Sequence, residues 1–384
     1  MARIYASPGR YIQGYKELGN IRKYVSWFGK NFFIISSRGR MDEIRETIKN
    51  SFLETDCSLY FEAFNGECTS EEIDRMLGLL HENKCEGVIG AGGGKVIDTA
   101  KAVAFYAKVP IAIVPTVASS DAPTSASSVV YNQNGEFEDV IFLSRNPDIV
   151  IMDTCIIANA PSRLLAAGMG DALATYFEAR TCVEGYRNNF VSFDGESPLG
   201  CTSERIATKA SFALAHLCYN LLLEYGREAM LSVKNKVVTK ALDCVIEANT
   251  LLSGIGFESN GLASAHAIYC GFTGIKGREH MYHGEYVAFG TIAMLVLEGR
   301  PRKEIERVIR FCISIGLPVT FEDLNLSNIC EEELKTIAEI TAQPTQTSIS
   351  EPFLVRSEEV IAAIKTANEL GRIYKNGGSL VVKE

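Results

Sequence analysis

Between the apolar run Val88-Ile89 and the helix-prone stretch Val96–Tyr106 lies Gly90-Ala91-Gly92-Gly93-Gly94-Lys95, with Asp98 one helical turn further on. A strand that ends in bare backbone and opens directly into a helix is a device for holding phosphate. The glycines let a ligand approach without Cβ interference, and the free N–H groups of the first helical turn point at it. Lys95 adds a positive charge at that mouth. Three consecutive glycines before a helix are costly unless something needs the space. The segment predicts a strand–loop–helix unit that binds a phosphorylated small molecule.

The loop fits neither of the two commonest phosphate signatures. In a P-loop alignment the first glycine would fall at Ile89 and the Ser/Thr at Val96. In a Rossmann alignment Lys95 stands where the third glycine belongs. The ligand class is therefore open at this point.

Composition narrows the partners. The 384 residues allow two or three domains, and 47% hydrophobic content is enough for large cores. A net charge of −9 argues against nucleic-acid and anionic-membrane partners. No apolar run has membrane-spanning length, and Met1-Ala2-Arg3-Ile4-Tyr5 lacks an apolar signal core. The eleven cysteines include no Cys-x-x-Cys pair, and an odd count without framework spacing fits reduced thiols in a cytoplasmic protein.

Up to about Asp153 short apolar runs alternate with amphipathic stretches. Strands are predicted at Phe32–Ser36, Ser58–Phe64, Gly87–Gly90, Ile111–Pro115 and Asp148–Met152, and helices at Met41–Phe52 and Ser70–Asn83. Tyr131 and Val140–Leu143 flank Asn132-Gln133-Asn134-Gly135, a hairpin signal. This alternation implies a parallel sheet covered on both faces. From about Ala160 strand signals vanish, and helices are predicted at Arg163–Cys182, Ser203–Glu224, Lys240–Leu252, Tyr286–Leu297, Lys303–Ile315 and Glu358–Tyr374. Glu184–Thr202, rich in Gly, Asn and Ser, reads as a long loop. The expected fold is α/β: residues 1–160 form a parallel-sheet dinucleotide-binding domain and 161–384 an all-α domain. The cleft between them is the default active site.

Three further segments bear on chemistry. Pro115–Ser128 is rich in hydroxyls and leaves the carboxyl end of a predicted strand, where open α/β sheets bind ligands. Asp171 follows Gly168-Met169-Gly170; the pattern alone reads it as a cap on a helix start, where a carboxylate stabilises the first turn. Three of the five histidines, His266, His280 and His283, bracket a glycine-rich turn, whereas His81 and His216 lie on ordinary amphipathic helices. One aspartate with two histidines suits Zn²⁺ with an open coordination position. The chain has no His-Glu-x-x-His motif, so spacing alone says little for a metal.

Taken together these segments resemble the glycerol dehydrogenases, zinc-using members of the iron-containing alcohol dehydrogenase superfamily with the dehydroquinate synthase-like fold. The likeness runs through Ser7–Gly14, Phe64–Cys68, Gly92–Lys101, the Pro115–Tyr131 loop, Gly168–Arg180, Ile246–Thr250, Gly256–Ser259 into His266, and His283–Gly290. The resemblance implies that Asp171, His266 and His283 bind the metal; His280, three residues before His283 and so able to share a helix face with it, is the fallback ligand. It implies that Gly93, Gly94, Lys95 and Asp98 hold the pyrophosphate and neighbouring ribose of NAD. Thr116, Ser119, Ser125, Ser127 and Tyr131 would line the nicotinamide half, and Asp121 would contact a hydroxyl of the polyol. Iron-using relatives carry a further histidine four residues after the aspartate. Here that position is Thr175, which leaves three protein ligands and favours zinc. The implied activity is oxidation of a secondary hydroxyl of glycerol or a related small vicinal diol by hydride transfer to NAD, in a homo-oligomer. Another member of the superfamily, a polyol-phosphate dehydrogenase or a dehydroquinate synthase-like lyase, is the alternative.

Two departures stand out. Relatives usually place an acid just after the first strand of the nucleotide domain, where it meets the adenosine ribose. This chain has Ser36-Ser37-Arg38-Gly39-Arg40, which leaves room for NADP. The loop Glu184–Thr202 is also longer than usual.

Overall fold

The computed structural model describes residues 1–38, 41–133, 135, 137–193, 205–275 and 281–377. In chain order the strands are β1 (Ala2–Arg3), β2 (Arg10–Gly14), β3 (Asn31–Ser37), β4 (Ser58–Phe64), β5 (Gly87–Gly92), β6 (Ile111–Pro115), β7 (Ser127–Tyr131), β8 (Phe137–Phe142), β9 (Ile149–Asp153) and β10 (Arg205–Ile206). The first half carries α1 (Ile21–Tyr24), α2 (Met41–Ser51), α3 (Ser70–Glu82) and α4 (Gly94–Ala107). The remainder holds α5 (Thr154–Ala158), α6 (Ser162–Glu184), α7 (Lys209–Lys234), α8 (Lys240–Glu247), α9 (Ser253–Asn260), α10 (Ser264–Thr273), α11 (His283–Leu297), α12 (Arg302–Ile315), α13 (Glu331–Thr341) and α14 (Ser357–Lys375).

Six strands form one parallel sheet in the order β2-β9-β6-β5-β3-β4. Side chains alternate across a strand, so a sheet covered on both faces needs near-continuous apolar runs. Strand β3 meets this demand. Phe32 and Ile34 face a core with Ile44 and Ile48 of α2, while Phe33 and Ile35 join a second core. That second core continues without a break into the helices, taking in Phe177, Ile268 and Phe289.

The chain passes from β3 outward to β4, then returns to the other side of β3 as β5 and continues to β6. The direction of winding reverses between β3 and β5, and crevices at such switch points are where α/β sheets bind ligands. Ser36 pairs with Ala91 and Gly92 with Pro115, so the carboxyl ends of β3, β5 and β6 open side by side. The expected hairpin is β7–β8, closed by a Gly135 N–H to Asn132 carbonyl bond.

Several elements differ from expectation. β2 forms the edge strand beyond β9, so Phe32–Ser36 is not the first strand of the sheet. The helix expected at Ser203–Glu224 is α7, which begins at Lys209 because the Thr208 hydroxyl caps the N–H of Ser211 and the Ser211 hydroxyl accepts from the N–H of Thr208. Lys240–Leu252 is α8 followed by a π-helical turn over Ala248–Leu252, which runs on as α9. The helix α13 and the two-residue pair β1–β10 were not anticipated. The loop expected at Glu184–Thr202 and the residues Arg40 and His280 lie wholly or partly outside the described residues.

Candidate active site

Asp171 lies well inside α6, which starts at Ser162. The helix-cap reading is therefore overturned: Gly168 and Gly170 do not break the helix but thin it. A Cβ on Gly170 would stand 2.2 Å from the carbonyl oxygen of Gly284, so glycine there lets α11 come against α6. Asp171 points into that junction, fully buried.

His266, in the first turn of α10, and His283, the first residue of α11, meet it there. Asp171 Oδ1 is 3.1 Å from His283 Nε2 and 3.4 Å from His266 Nε2. One ligand atom from each of the three side chains lies within 4.8 Å of the others. Burial alone would push the Asp171 carboxyl up, but the two facing imidazoles outweigh it and hold it below the usual carboxylate range. Burial pulls His266 down, and the carboxylates of Glu178 and Asp171 raise it well past its ordinary value. Asp121 is raised well above the ordinary range by burial and then by the charge of Asp171. Three acids thus surround two imidazoles. The donor set, one carboxylate and two Nε2 atoms, fits a divalent metal with three protein ligands.

Glu178 and Lys101 fall within the family-like segments, yet their roles were not legible there. Glu178 stands on the same face of α6, two turns after Asp171. One of its oxygens accepts from the backbone N–H groups of Ala263 and His266, at 2.8 and 3.1 Å; the other is 2.6 Å from His266 Nδ1. That contact holds a proton on Nδ1 and turns Nε2 toward Asp171, so that Nε2 is the nitrogen a metal would take. The start of α11 is fixed likewise: Glu285 accepts from the Tyr282 N–H at 2.8 Å and pairs with Arg163 at 2.6 Å.

The loop between β6 and β7 forms the opposite wall. Its anchor is Lys101, only 2% exposed, whose ammonium pairs with Asp98 at 2.9 Å and donates to the carbonyls of Ala122 and Ser127. Asp98 itself is buried and raised by that burial despite Lys101. Asn249 donates to the carbonyl of Ala118 at 3.0 Å, and the Thr124 hydroxyl donates to the carbonyl of Thr250 at 2.9 Å. Glu258 accepts from the N–H of Ala126 at 3.1 Å and from the Asn146 amide. So tethered, the loop brings the Asp121 N–H to 3.4 Å from Asp171 Oδ2.

At the switch point, Gly93 precedes α4 with extended backbone and Gly94 opens it, leaving the N–H groups of the first turn aimed at the crevice. Lys95 bridges to Glu67 and lies 5.3 Å over the Tyr131 ring. The Thr116 N–H bonds the carbonyl of Gly92, and the Ser125 and Ser127 hydroxyls are 3.3 Å apart. Ser119 is half-buried on the same loop, and Ser37 ends β3 beside the glycine loop.

A model of the iron-containing alcohol dehydrogenase family matches residues 8–154. The glycerol dehydrogenase of Citrobacter freundii is 45% identical over 97% of this chain and 99% of its own length. The chain belongs to the iron-containing alcohol dehydrogenase family, in its glycerol dehydrogenase branch. The crystal structure of glycerol dehydrogenase from Schizosaccharomyces pombe superposes with a TM-score of 0.90 at 32% identity, covering 98% of this chain and 94% of that one. A probable glycerol dehydrogenase from Sinorhizobium meliloti 1021 superposes with a TM-score of 0.88 at 37% identity, over 97% and 99%. The two-domain α/β architecture extends to these relatives, and no helix among the described residues is long and apolar enough to cross a membrane.

Proposed function

We propose that this chain oxidises the secondary hydroxyl of glycerol, or of a related small vicinal diol, by hydride transfer to NAD with a zinc ion in the site. The observation that carries the reading is the convergence of Asp171, His266 and His283 within 4.8 Å, opposite Asp121 in a relative of glycerol dehydrogenases. Zinc held by those three residues would supply Lewis acidity that makes an alcohol a stronger acid, and NAD would supply the hydride acceptor.

The residues of the chain do the rest. Glu178 keeps the His266 ring turned so that Nε2 faces the site. Asp121 accepts a hydrogen bond from a substrate hydroxyl that is not oxidised. Gly93, Gly94 and Lys95 cradle the pyrophosphate at the start of α4, and Asp98 supports that helix turn and the adjoining ribose side. Thr116, Ser119, Ser125, Ser127 and Tyr131 line the nicotinamide half and exclude water from the reacting carbons. Ser37 stands at the adenosine end, with NAD as working cofactor and measurable use of NADP.

The division into residues 1–160 and 161–384 is supported by β9 ending at Asp153, after which helices dominate. Ten unpaired cysteines among the described residues are in keeping with a cytoplasmic protein. Assembly into a homo-oligomer completes the reading. The test is absorbance at 340 nm with glycerol and NAD. Activity should vanish on chelation and return with Zn²⁺; a chelated, metal-free enzyme that keeps full activity sinks the proposal.

A further inference from the structure

Asp121 does not stand alone at the loop. Its Oδ2 accepts a hydrogen bond of 2.7 Å from the hydroxyl of Ser253, the first residue of α9. Ser253 Oγ is in turn 2.8 Å from Thr175 Oγ1. A hydroxyl has one proton to give. Ser253 gives its proton to Asp121, so Thr175 must be the donor to Ser253. With Asp121 ionised, the direction runs from Thr175 through Ser253 to Asp121. Both hydroxyls are fully buried, so water does not replace either link.

Thr175 lies one turn after Asp171 on α6, at the position where the resemblance placed an additional histidine ligand in iron-using relatives. Here a hydroxyl stands there and reaches the loop acid instead. Ser253 follows directly on the π-helical turn Ala248–Leu252, and the widened turn also brings Asn249 and Thr250 onto the same loop. Such π-turns are rare and concentrate at functional sites.

We infer that Thr175 and Ser253 are positioning residues that set the plane of the Asp121 carboxylate for a second hydroxyl of the substrate, so that α6 fixes metal geometry and diol recognition together. The inference rests on the proposed role of Asp121. It follows that loss of either hydroxyl weakens selection for a diol rather than the metal site itself.

The experiment compares kcat/KM for glycerol with that for 2-propanol, which lacks a second hydroxyl, in the zinc-loaded enzyme, and measures bound zinc in each variant. Ser253→Ala should lower the glycerol/2-propanol ratio about tenfold, mainly through the KM for glycerol, at wild-type zinc content. Thr175→Val should lower it about threefold, and Thr175→Ser should restore it. An unchanged ratio, equal losses on both alcohols, or a loss of zinc overturns the inference. Asp121→Asn separates the two levels. If it shifts the ratio and Ser253→Ala does not, the hydroxyl relay fails alone; if Asp121→Asn shifts nothing, the reading of Asp121 fails. Should Ser253→Ala not fold, the Thr175 pair decides the question.

Discussion

Gly284 sits so close to Ala167 that a Cβ on the glycine would stand 1.8 Å from the alanine carbonyl oxygen. This approach of α11 to α6 is what lets His283 reach Asp171 across the helix junction. The obstacle is backbone, so it cannot swing aside. Gly284→Ala should destabilise the fold by about 3 kcal/mol, the upper range for overpacking, and should lower zinc affinity as the ligands separate. Gly78→Ala is the control: that glycine is exposed in α3, a methyl added there would meet nothing within 4 Å, and the change should stabilise by about 0.8 kcal/mol. Urea unfolding of both variants, with zinc competition by a chromogenic chelator, reads the outcome. Equal stability of the two would mean that the helix contact is not tight.

Removing a metal ligand and loosening one should be distinguishable. His266→Ala should lose zinc and activity while keeping the helical circular dichroism signal. Glu178→Gln keeps the side-chain volume but disturbs the charge-assisted bond to Nδ1, and should weaken zinc by roughly 10–100-fold, the usual range for such outer partners. Wild-type zinc affinity in Glu178→Gln would mean that His266 is oriented by packing alone.

The contrast between these residues shows what was legible in the chain. The strand–glycine–helix unit at Gly92–Lys95 announces itself locally, because three glycines before a helix have few purposes. Asp171, His266 and His283 were named through the family likeness, and the pattern alone misread Asp171 as a cap. The reason is physical: Gly168 and Gly170 look like helix breakers in one dimension, and their use, Gly168 to admit the Ala118 carbonyl and Gly170 to bring α11 close, exists only in three. Glu178 leaves a faint trace in its spacing from Asp171 along α6. Ser253 leaves none, since a π-turn that re-registers a helix has no sequence period of its own.

Burial of Glu258 makes a pH prediction. Desolvation raises its carboxyl to about 7, only partly countered by the Ala126 N–H and Asn146. An acid with a raised folded-state value holds its proton in the native protein after the unfolded chain has released it. Stability from this group is therefore fully present below the unfolded value near 4.5 and is lost as pH rises toward 7. A shift of that size corresponds to roughly 3 kcal/mol. Glu258→Gln cannot ionise, so its unfolding free energy should fall less than that of the wild type between pH 4.5 and 7.5. Parallel curves for the two proteins would show that Glu258 does not titrate in this range.

The adenosine end carries the last prediction. Ser37 closes β3 beside the glycine loop, where an acid would accept a bond from the ribose and repel a 2′-phosphate. With serine there the repulsion is absent. Arg38 offers less attraction than its charge suggests, since its guanidinium donates to Asn65 at 2.7 Å. The balance keeps NAD as the working cofactor, with NADP used measurably. Ser37→Asp restores the repulsion and should sharpen the NAD/NADP ratio of kcat/KM about tenfold, equivalent to about 1.4 kcal/mol. Because the change acts on the cofactor alone, KM for glycerol at saturating NAD should stay put. A ratio that does not move in Ser37→Asp would remove residue 37 from the ribose and shift the adenosine site elsewhere along the β3–β5 crevice.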